Sequence, residues 1–199
     1  MDILILQPHA DDAVWSMAEH MLTWQEDGHY LAVATVFGAA VRHTDPAREE
    51  KHRVLDAEHG AVLRAMGITM VSNGPFSDDG WGLPRPLDLD LRTYVGSLLS
   101  HPFDVIVAPT GIWHPDHVQL GLNMQNYTWQ SPRRQTWIYD ELPYYVQHPE
   151  LATMCLPAVG HREHLARKKE LCRMYASQLN PPDTVERCIY APERVWKYA

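Results

Sequence analysis

Ile3-Leu4-Ile5-Leu6-Gln7-Pro8-His9-Ala10-Asp11-Asp12 is the stretch that decides how this chain folds. Ile3 to Gln7 is a short, continuous apolar run closed by Pro8, the pattern of a strand buried on both faces of a parallel sheet. A helix follows at once. Over residues 13–25 the apolar side chains Ala13, Met17, Met21 and Trp24 return at helical spacing, Asp11 or Asp12 can cap the start, and Gly28 ends the run. A polar turn between a buried strand and a helix lies at the carboxyl edge of a parallel sheet, where ligands of such folds bind.

The same alternation continues outward. Residues 30–37 read as a second strand, with Val33, Ala34 and Val36, and the region to Pro46 reads as a loop without periodicity. Residues 47–66 carry a helical stripe of Val54, Ala57, Ala61, Val62 and Ala65 before Gly67. A third strand over 68–72 leads into a Gly-, Pro- and Asp-rich loop over 73–86 and a helix over 87–99. The fourth strand, 105–108, is cut off by Pro109 and runs through Trp113-His114-Pro115-Asp116-His117 into a helix over 118–129. A strand over 136–139, a connection over 140–160 and a helix over 163–176 complete the pattern. Strands alternating with helices predict an α/β fold, a doubly wound, mostly parallel, Rossmann-like sheet with helices on both faces. One domain over residues 1–199 is the expectation. If the first and fourth strands are neighbours at the switch point, their two polar turns meet in one crevice.

Composition narrows the function. With 17 Lys and Arg against 25 Asp and Glu, a net charge of -8 argues against a nucleic-acid surface. No apolar run approaches the roughly 20 residues of a membrane span, and the N-terminus has neither the basic flank nor the cleavage pattern of a signal. Three cysteines, Cys155, Cys172 and Cys188, lie far apart without CxxC spacing, so reduced thiols and a cytoplasmic setting are expected. Self-association into a homo-oligomer stays open.

The two turns carry chemistry. His9 and Asp12, at i and i+3 on a tight turn, can face one point, while the adjacent Asp11 must point elsewhere and is free to approach an open coordination position. A catalytic zinc site takes three ligands of His or carboxylate type and leaves a fourth place for water. His114 and His117 repeat the i, i+3 spacing, so that one histidine can bind metal while the other points at substrate. Asp116 can accept a ring N–H and fix a tautomer. Either motif alone is weak, because an Asp pair at a helix start is commonly a cap. Both at strand-to-helix junctions make a metal-dependent hydrolase the stronger reading.

On Pro8-His9-Ala10-Asp11-Asp12 and His114-Pro115-Asp116-His117 the chain resembles the LmbE-like, or PIG-L, family of zinc de-N-acetylases. The likeness extends to Trp137-Ile138-Tyr139-Asp140-Glu141-Leu142-Pro143, Lys168-Lys169-Glu170-Leu171 and Tyr175-Ala176-Ser177-Gln178. It implies Zn2+ on His9, Asp12 and His117, Asp11 as general base, His114 stabilising the developing oxyanion and Asp116 orienting His114. The implied substrate is a small N-acylated molecule, an amino sugar of the N-acetylglucosamine type; a thiol conjugate or an antibiotic intermediate is the alternative within the same chemistry. A non-catalytic sugar- or nucleotide-binding module is the rival from another class. Trp113, Arg53 and Asp79 are candidate substrate contacts, with Trp113 placed to stack on a sugar face, and Arg42, His43, Asp45, Asp78 and Trp81 are further loop candidates. His20, His29, His52, His59, His101 and His148 read as surface residues, and Trp137, Tyr139, Tyr144 and Tyr145 as packing.

Overall fold

The computed structural model describes residues 1–38, 46–77, 88–130, 134–151 and 156–198. Its centre is a six-stranded sheet in the order β3-β2-β1-β4-β5-β6, formed by β1 (Asp2–Gln7), β2 (Tyr30–Thr35), β3 (Thr69–Asn73), β4 (Val105–Pro109), β5 (Gln135–Tyr139) and β6 (Val195–Lys197). β1 to β5 pair in parallel, and β6 returns antiparallel to β5. The helices are α1 (Asp12–Glu26), α2 (Pro46–Met66), α3 (Asp88–Leu98), α4 (Pro115–Gln130), the short α5 (Tyr144–Gln147), α6 (Leu165–Arg173) and α7 (Pro182–Tyr190).

Alternation along the strands sends side chains to two cores. Ile3, Ile5, Val33, Val105 and Val107 pack with α1, α2, α6 and α7, while Leu4, Leu6, Ala32, Ala34 and Ile106 pack with α3 and α4. Helices therefore cover both faces, as the continuous apolar strands predict. α5, α7 and β6 were not expected. α5 is four residues long, too short to show a period; α7 begins beyond the last expected helix; and β6 is three residues held by the edge of β5. Among the described residues no helix is long and apolar enough to cross a membrane.

Two histidines expected at the surface are buried. His20 is 1% exposed, its Nδ1 3.0 Å from Glu193 Oε2 and its Nε2 2.9 Å from the Val159 carbonyl. Glu193 also accepts the backbone N–H groups of Glu19 and His20, which α1 exposes because its backbone leaves helical geometry at Met17. The carboxylate thus caps a second helix start inside α1. Lys168, itself fully buried, lies 3.0 Å from the other Glu193 oxygen. His59, the second of the pair, belongs to the site.

Candidate active site

β1 and β4 are adjacent and parallel, with Ile3 opposite Val105 and Ile5 opposite Val107, so the turns after Gln7 and after Pro109 leave the same sheet edge. This is the switch point at which the strand order reverses. Gly111 (φ +92°) and Trp113 (φ +61°) bend the second turn, and Gly121 on α4 lets it pack closely.

Three ligand-type atoms meet here. His9 Nδ1 lies 3.3 Å from Asp12 Oδ2 and 3.3 Å from His117 Nε2, and His117 Nε2 lies 3.2 Å from Asp12 Oδ2. Ligands about 2.0–2.1 Å from a tetrahedral zinc stand about 3.3 Å apart, so this triangle fits the ion. The opposite ring nitrogens are each held by a carboxylate, His9 Nε2 by Asp116 Oδ2 at 3.0 Å and His117 Nδ1 by Glu141 Oε1 at 3.2 Å. That arrangement aims a lone pair of each ring at the centre. His114 joins a wider set in which one ring nitrogen each from His9, His114 and His117 lie within 4.8 Å of one another.

The electrostatics fit a cation. Although burial opposes its charge, His117 and His9 hold the Asp12 carboxyl well below the usual range. Burial likewise works against a charged His117, but Asp12 and Glu141 raise it to about 9. A metal would displace that proton. Asp11 is different: burial, then the charge of Asp12, pushes it up to about 7. It stands at the N-cap position of α1, yet its side chain makes no capping bond. The capping role that the bland reading assigns to the pair is therefore not what its carboxylate does.

A buried network supports the first turn from below. The Gln7 amide nitrogen reaches Thr35 Oγ1 at 2.8 Å and His59 Nε2 at 2.9 Å, and its oxygen accepts the Ala13 N–H at 3.1 Å. His59 Nδ1 contacts the Tyr175 hydroxyl at 2.8 Å, which donates to the Ala10 carbonyl at 3.2 Å. The peptide groups on either side of the Asp pair are thereby tied to β2, α2 and the chain after α6.

The structure redistributes some expected roles. His114 is oriented by main chain, because the Asp116 backbone N–H donates to its Nδ1 at 3.2 Å; the Asp116 carboxylate is 3.9 Å from that atom and closer to His9. Trp113 is 61% exposed and stacks on His148 with ring centroids 3.9 Å apart, outside the cavity lining. Arg53 is also outside the lining: it is exposed and pairs with Glu50, while Lys51, His52 and Leu55 of the same helix face the cavity. Helical rotation explains the exchange, since neighbours in sequence point about 100° apart. Asp79, with Arg42, His43, Asp45, Asp78 and Trp81, lies outside the described residues.

Glu141 and Tyr144 were missed as site residues. Glu141 Oε1 accepts the N–H groups of Gly111 and Ile112 besides facing His117, so it ties the second turn to β5; its place after an apolar strand, in the stretch Trp137–Pro143 that shares the resemblance, was the signal for it. Tyr144 packs against the core as expected and also lines the cavity, with its ring 5.0 Å from that of His117. The cavity, about 290 Å³, is bordered by His9, Asp11, Asp12, His114 and residues of α1, α2, α7 and the β5–α5 connection. In a second cluster of ligand type, His20, His161 and Glu193, both ring nitrogens of His20 and both oxygens of Glu193 already have partners, among them the Val159 carbonyl and Lys168.

No family model and no curated protein matches the sequence. Solved structures do match in fold. A deacetylase of the teicoplanin biosynthesis pathway is 19% identical over 99% of this chain and 97% of its own, with a TM-score of 0.78. The A40926 pseudoaglycone deacetylase is 23% identical, covers 91% of this chain and 84% of its own, and gives a TM-score of 0.74. The N,N'-diacetylchitobiose deacetylase of Pyrococcus horikoshii is 17% identical over 94% and 73%, with a TM-score of 0.69. What these proteins share with the chain is the α/β fold; its chemistry rests on its own side chains.

Proposed function

We propose that this chain is a zinc-dependent amide hydrolase of the LmbE-like, or PIG-L, kind, removing an N-acetyl or related N-acyl group from an N-acetylglucosamine-type sugar or sugar conjugate. The observation that carries this reading is the triangle of His9 Nδ1, Asp12 Oδ2 and His117 Nε2, with sides of 3.2–3.3 Å, at a cavity that His9 and Asp12 line together with Asp11, whose side chain makes no capping bond. The three residues of the triangle are the proposed ligands. Deacetylases of sugar conjugates among the structures of the same fold support the substrate class.

When bound, zinc supplies Lewis acidity, which acidifies a water to a pKa of about 7 and polarises a carbonyl. Asp11 takes the proton of the attacking water at its carboxylate and returns it to the amide nitrogen as the C–N bond breaks. With its Nδ1 accepting the Asp116 N–H, His114 carries its ring proton on Nε2, the donor offered to the oxyanion. Asp116 and Glu141 keep His9 and His117 in their ligand tautomers. The buried free thiols Cys172 and Cys188 suit a reducing, cytoplasmic setting.

The test is zinc-dependent release of free amine from N-acetylated sugars and sugar conjugates. Asp11→Asn should retain about one zinc per chain and lose roughly 10²- to 10⁴-fold in rate. His9→Ala and His117→Ala should lose the metal itself. A wild-type protein that ignores zinc and releases no amine would favour the binding-module reading.

A further inference from the structure

The proposed base, Asp11, shares its cavity with an apolar wall that the metal does not account for. Trp15 of α1, Leu55 of α2, Leu142 after β5, and Pro181, Val185 and Cys188 at and within α7 all line it. Trp15, Leu142 and Cys188 are buried, so the wall belongs to the interior. Asp11 lines the same cavity as these side chains. The wall therefore adjoins the proposed base.

An amide carbonyl carries two substituents, the amine and the acyl chain. Sugar hydroxyls set against Leu, Val and Pro would lose hydrogen bonds to water without replacement, whereas an alkyl chain loses none. The amine half then belongs with the polar lining, to which Lys51, His52, Gln178 and Asn180 contribute beside His114 and Tyr144. With the amine half at the polar lining, a single acetyl methyl covers little of a wall built from six side chains.

Resting on the hydrolase reading above, we infer that the chain removes acyl groups longer than acetyl, with a saturated alkyl chain packed against Trp15, Leu55, Leu142, Pro181, Val185 and Cys188. The step is an ordinary hydrolysis: water oxygen bonds to the carbonyl carbon, the C–N bond breaks, and the amine leaves with a proton, giving a fatty carboxylate and a free amino sugar.

The test is a series of N-acetyl-, N-butyryl-, N-hexanoyl- and N-octanoylglucosamine with the zinc-loaded protein. kcat/KM should climb roughly fourfold per added methylene until the wall is covered. Val185→Trp and, from the opposite side, Leu55→Trp should each lower the octanoyl-to-acetyl ratio of kcat/KM at least tenfold in protein that retains its zinc. A series that is flat or falls with chain length overturns the inference, as does a ratio indifferent to both substitutions. Amine release from no member of the series overturns the hydrolase reading itself, and this inference with it.

Discussion

His59 has both ring nitrogens engaged, Nε2 by the Gln7 amide and Nδ1 by the Tyr175 hydroxyl. Because that hydroxyl donates onward to Ala10, Nδ1 carries the ring proton and Nε2 must accept. A second proton would face the Gln7 N–H, and burial already lowers the pKa from 6.5 to about 4. The unfolded chain therefore takes up a proton that the native state refuses, and stability falls as pH drops from 6.5 through 4, by about 3 kcal/mol in all. Urea titrations of the metal-free protein between pH 7 and 4 should show a shallower loss for His59→Gln than for wild type; equal slopes would clear His59 of the effect. Nothing near His59 in sequence marks it, since its partners Gln7 and Tyr175 lie 52 and 116 residues away. His9, Asp11, Asp12, His114 and His117 were legible because each motif packs its groups into five residues or fewer. Glu141 was hidden for the same reason as His59, as its partners are the turn at Gly111 and Ile112 and the ring of His117.

At the scale of elements, α4 delivers His117 and starts just after His114, so its seating on the β4 turn sets the geometry between the motifs. A Cβ on Gly121 would come within 2.7 Å of the Thr110 carbonyl and 2.9 Å of Gly111 Cα. Both obstacles are backbone, so Gly121→Ala must push helix and turn apart. It should cost about 1–3 kcal/mol of stability and weaken zinc binding, readable as a lower urea midpoint and a higher zinc dissociation constant. Unchanged values of both would show that the contact does not hold α4 in place. The principal strands and helices were readable from period and turn signals, with ends displaced by up to three residues. α1 was not fully readable: its backbone breaks at Met17, and the carboxylate of Glu193 that caps the break comes from the far end of the chain.

For the whole molecule, the proposed zinc site joins β1–α1 to β4–α4, two units whose turns meet only when the sheet is formed. Zinc bound to the native state and not to the unfolded chain stabilises by mass action, about 2.7 kcal/mol at a free concentration 100 times Kd. Thermal unfolding should rise by roughly 5–10 °C with zinc over chelator in the wild type. His117→Ala should abolish the rise, and a rise that survives in that variant would place the metal elsewhere. The sequence by itself determined the alternating α/β layers and the two polar turns, because periodicity and short motifs are local properties of the chain. Only the tertiary structure decided that β1 and β4 lie side by side, that Asp116 serves His9 while main chain orients His114, and that an apolar wall from four separate segments stands beside Asp11. Those relations depend on pairing and packing between residues distant in sequence, which no local pattern encodes.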